Sequence, residues 1–445
     1  DPHFFWNYGV LGPIIESCEM APTEADARAA AAWVTPFVSA FVQVERDCEK
    51  FAKITCGGGS CGRLAPRFTL LFVSRRSRFR QGTRFTRRGI DSAGNVANFV
   101  ETEQAVLFED GQRMAHVQVR GSIPLFWSSP VNLKYHPPVR IGDDAARTAA
   151  ALRLHALALL GRYGGGYNDF GGHSDGRGGV VLVNLVDKKS DQGRLGEALD
   201  SALTALREDA AADAPPGKGG SAASGGKGLP RGADGVAVTA AGAEEAAAAA
   251  KAAAARRWER QAASLRHVWF DFHEECRGGR VENLGKLLAA VNGDLASHGF
   301  LHIAANGTVL QTQSGVVRTN CMDCLDRTNV VQSLFARRTL LQQLAAAGCL
   351  VAGASELADQ NTEAFMAGLP LLALPGQRLE MRFREMWGNN ADEISLLYTG
   401  TPALKRDFTR TGRRTKMGLM EDGTNSVLRY LINNFIDHRL DFAVL

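Results

Sequence analysis

Arg318-Thr319-Asn320-Cys321-Met322-Asp323-Cys324-Leu325-Asp326-Arg327-Thr328-Asn329 places five residues between a cysteine and an arginine, with a threonine directly after the arginine. That spacing suits an enzyme that removes phosphate from an ester through a cysteinyl-phosphate. The thiolate of Cys321 attacks phosphorus, and the intervening loop wraps the phosphate with inward-pointing N–H groups. Arg327 closes the ring with a planar two-donor fork. A thiol becomes a good nucleophile only when ionised, and amide dipoles, a helix N-terminus and a nearby guanidinium all lower its pKa. The flanks fit. Gly315-Val316-Val317 reads as a buried strand entering the loop. Thr328 or Asn329 is placed to cap a helix carrying Val330, Leu334, Leu341 and Leu344 at helical spacing, with Gly348 as its stop. Strand, anion loop and helix N-terminus together bind phosphate.

Cys321 and Cys324 also make a C-x-x-C pair. A structural zinc site needs two more ligands, and Cys56 and Cys61 in a Gly-rich stretch are weak candidates. A redox pair needs a small βαβ fold that the rest of the chain does not suggest. The position before Cys321 is Asn320, where the usual tyrosine-phosphatase loop carries histidine. The reading narrows to a cysteine phosphatase outside the tyrosine-specific pattern.

The twelve-residue stretch resembles the signature of the Sac-domain phosphoinositide phosphatases, the suppressor-of-actin family. Further segments resemble the family in order: Ser74 to Phe85, Asn98 to Gln104, Arg120 to Trp127, Asn184 to Lys189, Phe270 to His273, Ala403 to Thr415, Arg429-Tyr430 and Asn433 to Phe435. The resemblance covers nearly the whole chain. It implies a smaller N-terminal Sac subdomain and a larger catalytic domain. It also implies a phosphatidylinositol monophosphate as substrate, the 4-phosphate foremost, and residence on the cytosolic face of endoplasmic reticulum or Golgi membranes. Relatives of this kind carry a membrane anchor after the catalytic domain. The segment after Asn434 departs from the family's usual glycine-containing ending.

The 445 residues, 45% of them apolar, are enough for two domains with good cores. Eight unevenly spaced cysteines suggest reduced thiols rather than a disulfide framework. The chain opens Asp1-Pro2-His3 without a Met, which points to an excised segment, and shows neither a signal peptide nor an apolar run of the ~20 residues that span a membrane.

From Phe68 to Trp127 the pattern is strand-rich, with Phe68 to Val73 a buried strand. Ala105 to Phe108 and Met114 to Val119 flank the turn Glu109-Asp110-Gly111-Gln112. From about Asp143 helices and strands alternate: helix over Thr148 to Leu160, strand over Val180 to Val186, helix over Leu195 to Leu206, strand over His267 to Phe272 and helix over Glu282 to Val291. The fold class is therefore α/β, with an N-terminal Sac subdomain over 1–142 and a catalytic domain over 143–445. Asp209 to Arg256 turns to Ala, Gly, Ser and Pro and is expected to be a disordered insertion. Gly226-Lys227 within it lacks the following Ser or Thr of a nucleotide loop. Gly164 to Gly179 reads as a flexible connector.

Net charge is only +4, but seven arginines fall between Arg75 and Arg88, and Lys405, Arg406, Arg410, Arg413, Arg414 and Lys416 form a second cluster. Such runs are usually solvated faces. The alternative is attraction to an anionic lipid surface or headgroup, with the family match favouring that for Lys405 and Arg410. No nucleic-acid motif accompanies them. In the mechanism expected here, Cys321 attacks, and Arg327 with the amides of roughly Met322 to Arg327 stabilises the transferring phosphoryl group. The loop residues Met322, Cys324, Leu325 and Asp326 contact the phosphate, and Thr328 bonds the sulfur or the phosphate. Asp323 is the first choice for general acid and Asp326 the second. Asp271 and His273 are candidates to orient the loop or assist proton transfer. The chemistry needs no metal and no cofactor. The rival reading is a phosphoinositide-binding or tethering pseudo-phosphatase with little turnover.

Overall fold

The computed structural model of the chain describes residues 1–46, 48, 55–56, 59–60, 67–130, 133, 137–164, 178–212, 255–256, 258–349, 374, 377–404, 406–411 and 415–436. Helices α1 (Tyr8–Glu19) and α2 (Glu24–Ala31) open the chain and bury none of their residues. A nine-stranded sheet follows. β1 (Ala40–Glu45), β2 (Phe68–Arg76), β3 (Val100–Phe108) and β4 (Arg113–Arg120) form an antiparallel meander. The β3–β4 turn falls where the sequence places it, and Gly111 supplies the positive φ of 95° that it requires. β5 (Val180–Asn184), β6 (Leu265–Trp269) and β9 (Val316–Asn320) add parallel strands, giving the order β1-β2-β3-β4-β9-β5-β6. The short β7 (Leu301–Ile303) and β8 (Val309–Gln311) pair with each other, and β7 also pairs with β4.

β9 joins the meander in parallel register, with Arg318 opposite Val119 and Thr319 opposite Arg120. The strand-rich N-terminal part and the alternating part therefore share one sheet. All five residues of β5 and of β9 are buried, as in parallel strands covered on both faces. Val180, Leu182 and Val316 pack under α3 (Ala145–Tyr163) and α4 (Ser190–Ala212). Val181, Val183 and Val317 pack against α5 (Leu284–His298), α6 (Asp326–Ala346) and α7 (Gln377–Thr399) on the opposite face. Side chains alternating across each strand feed the two layers.

Several boundaries differ from the sequence reading: the strand expected over 267–272 is Leu265–Trp269, with Phe272 already in a helical turn, and the helix expected over 282–291 is Leu284–His298. Helix α4 continues to Ala212, past the start of the expected insertion at 209, and residues 213–254 lie outside the described residues. Most of the expected connector over 164–179 does too. Helix α6 begins at Asp326 with Leu325 at its N-cap, so neither Thr328 nor Asn329 caps it. Both are buried inside its first turns. Asn329 instead gives its amide to the Trp387 carbonyl (2.9 Å) and takes bonds from Arg120 (3.3 Å) and Asn390 (3.2 Å). Its long-range partners outbid the local amides. The stop at Gly348 holds: its φ is 71°, and Cys349 N–H closes back on the Leu344 carbonyl at 2.8 Å. Among the described residues no helix is long and apolar enough to cross a membrane.

Candidate active site

Parallel strands β4, β9, β5 and β6 end at one edge of the sheet, and the turns leaving them carry Gly121, Cys321, Asp187 and Asp271. In open α/β sheets this carboxyl edge is where ligands bind. A cavity of about 540 Å³ opens there, within the range of small-molecule sites. Its walls include Cys321 to Arg327, Asp187, Lys189 and the start of α4, Leu404 and Arg429, and, from the N-terminal part, Arg84 and Arg88.

The loop after β9 is fixed from below and from the side. Asn320, fully buried, donates to Asn184 Oδ1 (2.8 Å) and accepts from Arg318 (3.0 Å). Arg318 in turn reaches the Ser122 carbonyl (2.6 Å) and His155 Nε2 (3.0 Å). Asparagine thus stands in a buried polar network at the position where tyrosine phosphatases carry histidine. From the side, Arg88 donates to the Met322 carbonyl (3.1 Å) and Asn98 to the Asp323 carbonyl (3.0 Å). Cys324, with a φ of 54°, turns the chain. Its sulfur accepts the Cys321 N–H (3.2 Å), and its thiol donates to the Gly121 carbonyl (2.8 Å). Burial pushes that thiol up to about 12, so Cys324 is a structural thiol rather than a second nucleophile.

Cys321 is 7% exposed. Burial raises its pKa, while the Arg327 guanidinium and the Met322 amide work downward and Asp323 and Asp187 work upward. The balance differs from the sequence expectation, because desolvation and two carboxylates outweigh one guanidinium. In this form Cys321 is a thiol. Arg327 lies in the first turn of α6 and is engaged elsewhere: its Nη1 is 2.9 Å from Asp187 Oδ1 and 3.4 Å from the Leu185 carbonyl.

Asp323 is held more tightly still. Arg84 and Arg88 each stand 2.7 Å from one of its carboxylate oxygens. Burial alone would push the Asp323 carboxyl up, but the two guanidiniums win and hold it well below the usual carboxylate range. An ionised carboxylate accepts protons and cannot give one, so the proton donor expected here is locked in its wrong form in this state. Asp326, the second choice, accepts the Leu404 N–H (2.6 Å) and lies 3.8 Å from Arg429 of α8 (Lys416–Leu431).

Met322, Cys324, Leu325 and Asp326, expected to contact the phosphate, line the cavity. Thr328 does not: it is fully buried, and its hydroxyl has no partner among the described residues. Asp271 caps the helical turn Phe272–Glu275 through Glu274 N–H (2.9 Å) and accepts Lys188 N–H (2.8 Å), steadying the turn that carries Asp187. His273 is exposed and away from the cavity. Arg410 pairs with Asp392 and Asn389, both at 2.9 Å, on α7 rather than at the cavity. Lys405, Arg413 and Arg414 lie outside the described residues. Sequence reasoning missed Asp187, Arg84, Arg88 and Arg429 as parts of the site. All four lie in segments already singled out, yet nothing in a run of arginines says which ones turn inward.

Residues 1–277 match the family described as the SacI homology domain. The chain belongs to that family. Zebrafish phosphatidylinositol-3-phosphatase SAC1-A is 33% identical over 98% of this chain and 56% of its own length. The Drosophila phosphatidylinositol-3-phosphatase SAC1 is 38% identical over 82% of this chain and 47% of its own. Human phosphatidylinositide phosphatase SAC2 is 31% identical over 98% of this chain and 31% of its own. The chain thus spans from 31% to 56% of the length of these relatives.

Proposed function

We propose that the chain is a phosphoinositide phosphatase that hydrolyses the phosphate monoester of a phosphatidylinositol monophosphate, foremost the 4-phosphate, through a cysteinyl-phosphate. The carrying observation is one cavity at the carboxyl ends of parallel strands that holds Cys321, Arg327 and Asp323 together. The names of the relatives support the lipid class. Two of them are named as 3-phosphatases, so the isomer is part of the test.

The substrate dianion displaces Asp187 from Arg327, whose fork then takes two phosphate oxygens. The Cys321 thiol passes its proton to the phosphate, and the sulfur–phosphorus bond forms as the phosphorus–inositol oxygen bond breaks. Asp323, once protonated, gives its proton to the departing inositol oxygen. Water then attacks phosphorus, one of its protons goes to Asp323, and the sulfur–phosphorus bond breaks with its electron pair on sulfur; Cys321 takes back the proton the phosphate carried and inorganic phosphate leaves. The loop amides stabilise the equatorial oxygens in both steps. The same reading seats the cavity on an anionic lipid surface, at the cytosolic face of endoplasmic reticulum or Golgi membranes.

Phosphate release across a panel of phosphoinositide isomers and phosphopeptides tests this. One or more monophosphorylated lipids should be hydrolysed, and Cys321→Ser should abolish release while the headgroup still binds. Equal release by variant and parent would falsify the covalent mechanism. A parent that binds the lipids but releases nothing would leave the tethering pseudo-phosphatase instead.

A further inference from the structure

Asp323 poses a problem that the catalytic loop does not solve by itself. Its carboxylate is matched by Arg84 and Arg88, yet a proton donor must spend part of the cycle protonated. Whatever loosens the clamp has to be an anion, and it has to reach the same two guanidiniums.

Both guanidiniums line the cavity that holds Cys321. Each also keeps a buried Nε–H with no hydrogen-bond partner among the described residues, so each has donor capacity left beyond Asp323. Phe85, also on the cavity wall, lies against both, with its ring centre 5.0 Å from one guanidinium carbon and 5.1 Å from the other. The short segment is pinned from behind: Tyr398 donates to the Arg87 carbonyl at 2.9 Å, and Arg84 N–H bonds the Tyr398 carbonyl at 3.0 Å. Two guanidiniums against one carboxylate leave a single positive charge over. A lipid headgroup of the proposed class has two anionic groups, the monoester that is cleaved and the phosphodiester that joins inositol to glycerol. The diester carries one negative charge.

We propose that Arg84 and Arg88 form a second anion subsite for the phosphodiester of the lipid headgroup, and that filling it loosens their hold on Asp323. This rests on the phosphatase reading above. With the diester sharing its donors, Asp323 regains proton affinity only when a headgroup is seated. The enzyme then protonates the leaving oxygen of lipids and remains slow on monoesters that lack the diester. Arg84 and Arg88 thus bind substrate directly and position the acid indirectly.

The experiment compares a short-chain phosphatidylinositol monophosphate with free inositol monophosphate, using the full chain and its Arg84→Gln and Arg84→Lys variants. On the lipid, Arg84→Gln should raise KM about tenfold, the size expected when one charge-assisted contact to an anion is lost. Arg84→Lys should restore part of it. On inositol monophosphate, Arg84→Gln should instead raise kcat severalfold below pH 6. The inflection at which kcat falls with rising pH should also move upward, because Asp323 is no longer clamped. Equal losses on both substrates with an unmoved pH profile would reduce Arg84 to a structural prop and overturn the subsite. Arg88→Gln, with thermal unfolding followed in parallel, repeats the test from the other side of the carboxylate. A wild-type chain inactive on both substrates would overturn the phosphatase reading itself, and the subsite with it.

Discussion

Asp187 holds the guanidinium proposed to take the phosphate. Its carboxylate is 2.9 Å from Arg327, and it also raises the pKa of Cys321. Asp187→Asn should therefore act twice in one direction. Removing a partly exposed ion pair worth about 1 kcal/mol should strengthen binding of inorganic phosphate about fivefold, read as product inhibition. The alkaline inflection of kcat/KM, at which the free thiol loses its proton, should move to lower pH, because the thiol ionises more readily. Weaker phosphate inhibition in the variant would mean that Asp187 orients Arg327 for substrate rather than withholding it. At this scale the sequence is legible for chemistry and silent on partners. Cys321, Asp323 and Arg327 announce themselves by type and spacing. That Asp187 faces Arg327 across 140 residues depends on β5 and β9 lying side by side, which no local pattern states.

Strand β9 and helix α6 were readable because their signals are local: a β-branched run, recurring apolar residues and a C-terminal glycine. The start of α6 was not, since its polar first turn is buried against α7 and β4 and bonds there instead of capping itself. The arginines of Arg75 to Arg88 mislead for a similar reason. They read as a solvated face, yet Arg76 and Arg80 bond backbone carbonyls, and Arg84 and Arg88 reach the loop. Helix α4 meets the sheet at Gly196, where a Cβ would sit 2.2 Å from the Trp269 ring of β6. Trp269 cannot retreat freely, because its indole N–H bonds the Val186 carbonyl at 2.9 Å, one residue before Asp187. Gly196→Ala should destabilise the fold by about 1–3 kcal/mol, the usual cost of overpacking, despite alanine's better helix propensity. Urea unfolding measures it, and an unchanged midpoint would show that the ring moves aside.

Across the whole molecule one sheet carries both halves of the site, with Arg84 and Arg88 arriving from the meander side and Cys321 from the parallel side. Histidines inside this continuous core make it sensitive to acid. Burial, then Arg338 and His298, push His116 of β4 down to about 3, and burial with Arg318 holds His155 well below its ordinary value. Both stay neutral in the folded chain but take up protons when unfolded below pH 6.5. Their contribution is therefore fully present above about pH 6.5 and is lost as pH falls toward 3, by roughly 1 kcal/mol per pH unit for each. The melting temperature should decline across that window, and His116→Asn should flatten the decline. A parallel decline in the variant would shift the acid sensitivity to other groups.

The paired charges at the cavity bear on selectivity against ordinary anions. Arg84 and Arg88 face Asp323, Arg327 faces Asp187, Arg429 faces Asp326 and Lys189 faces Glu274. A bare cluster of basic groups would fill with whatever anion is most abundant. Here each incoming ion must outcompete a tethered carboxylate whose effective concentration never falls. Chloride or a lone sulfate meets that competition with one weak contact, whereas a headgroup seated as proposed would meet it at two places at once.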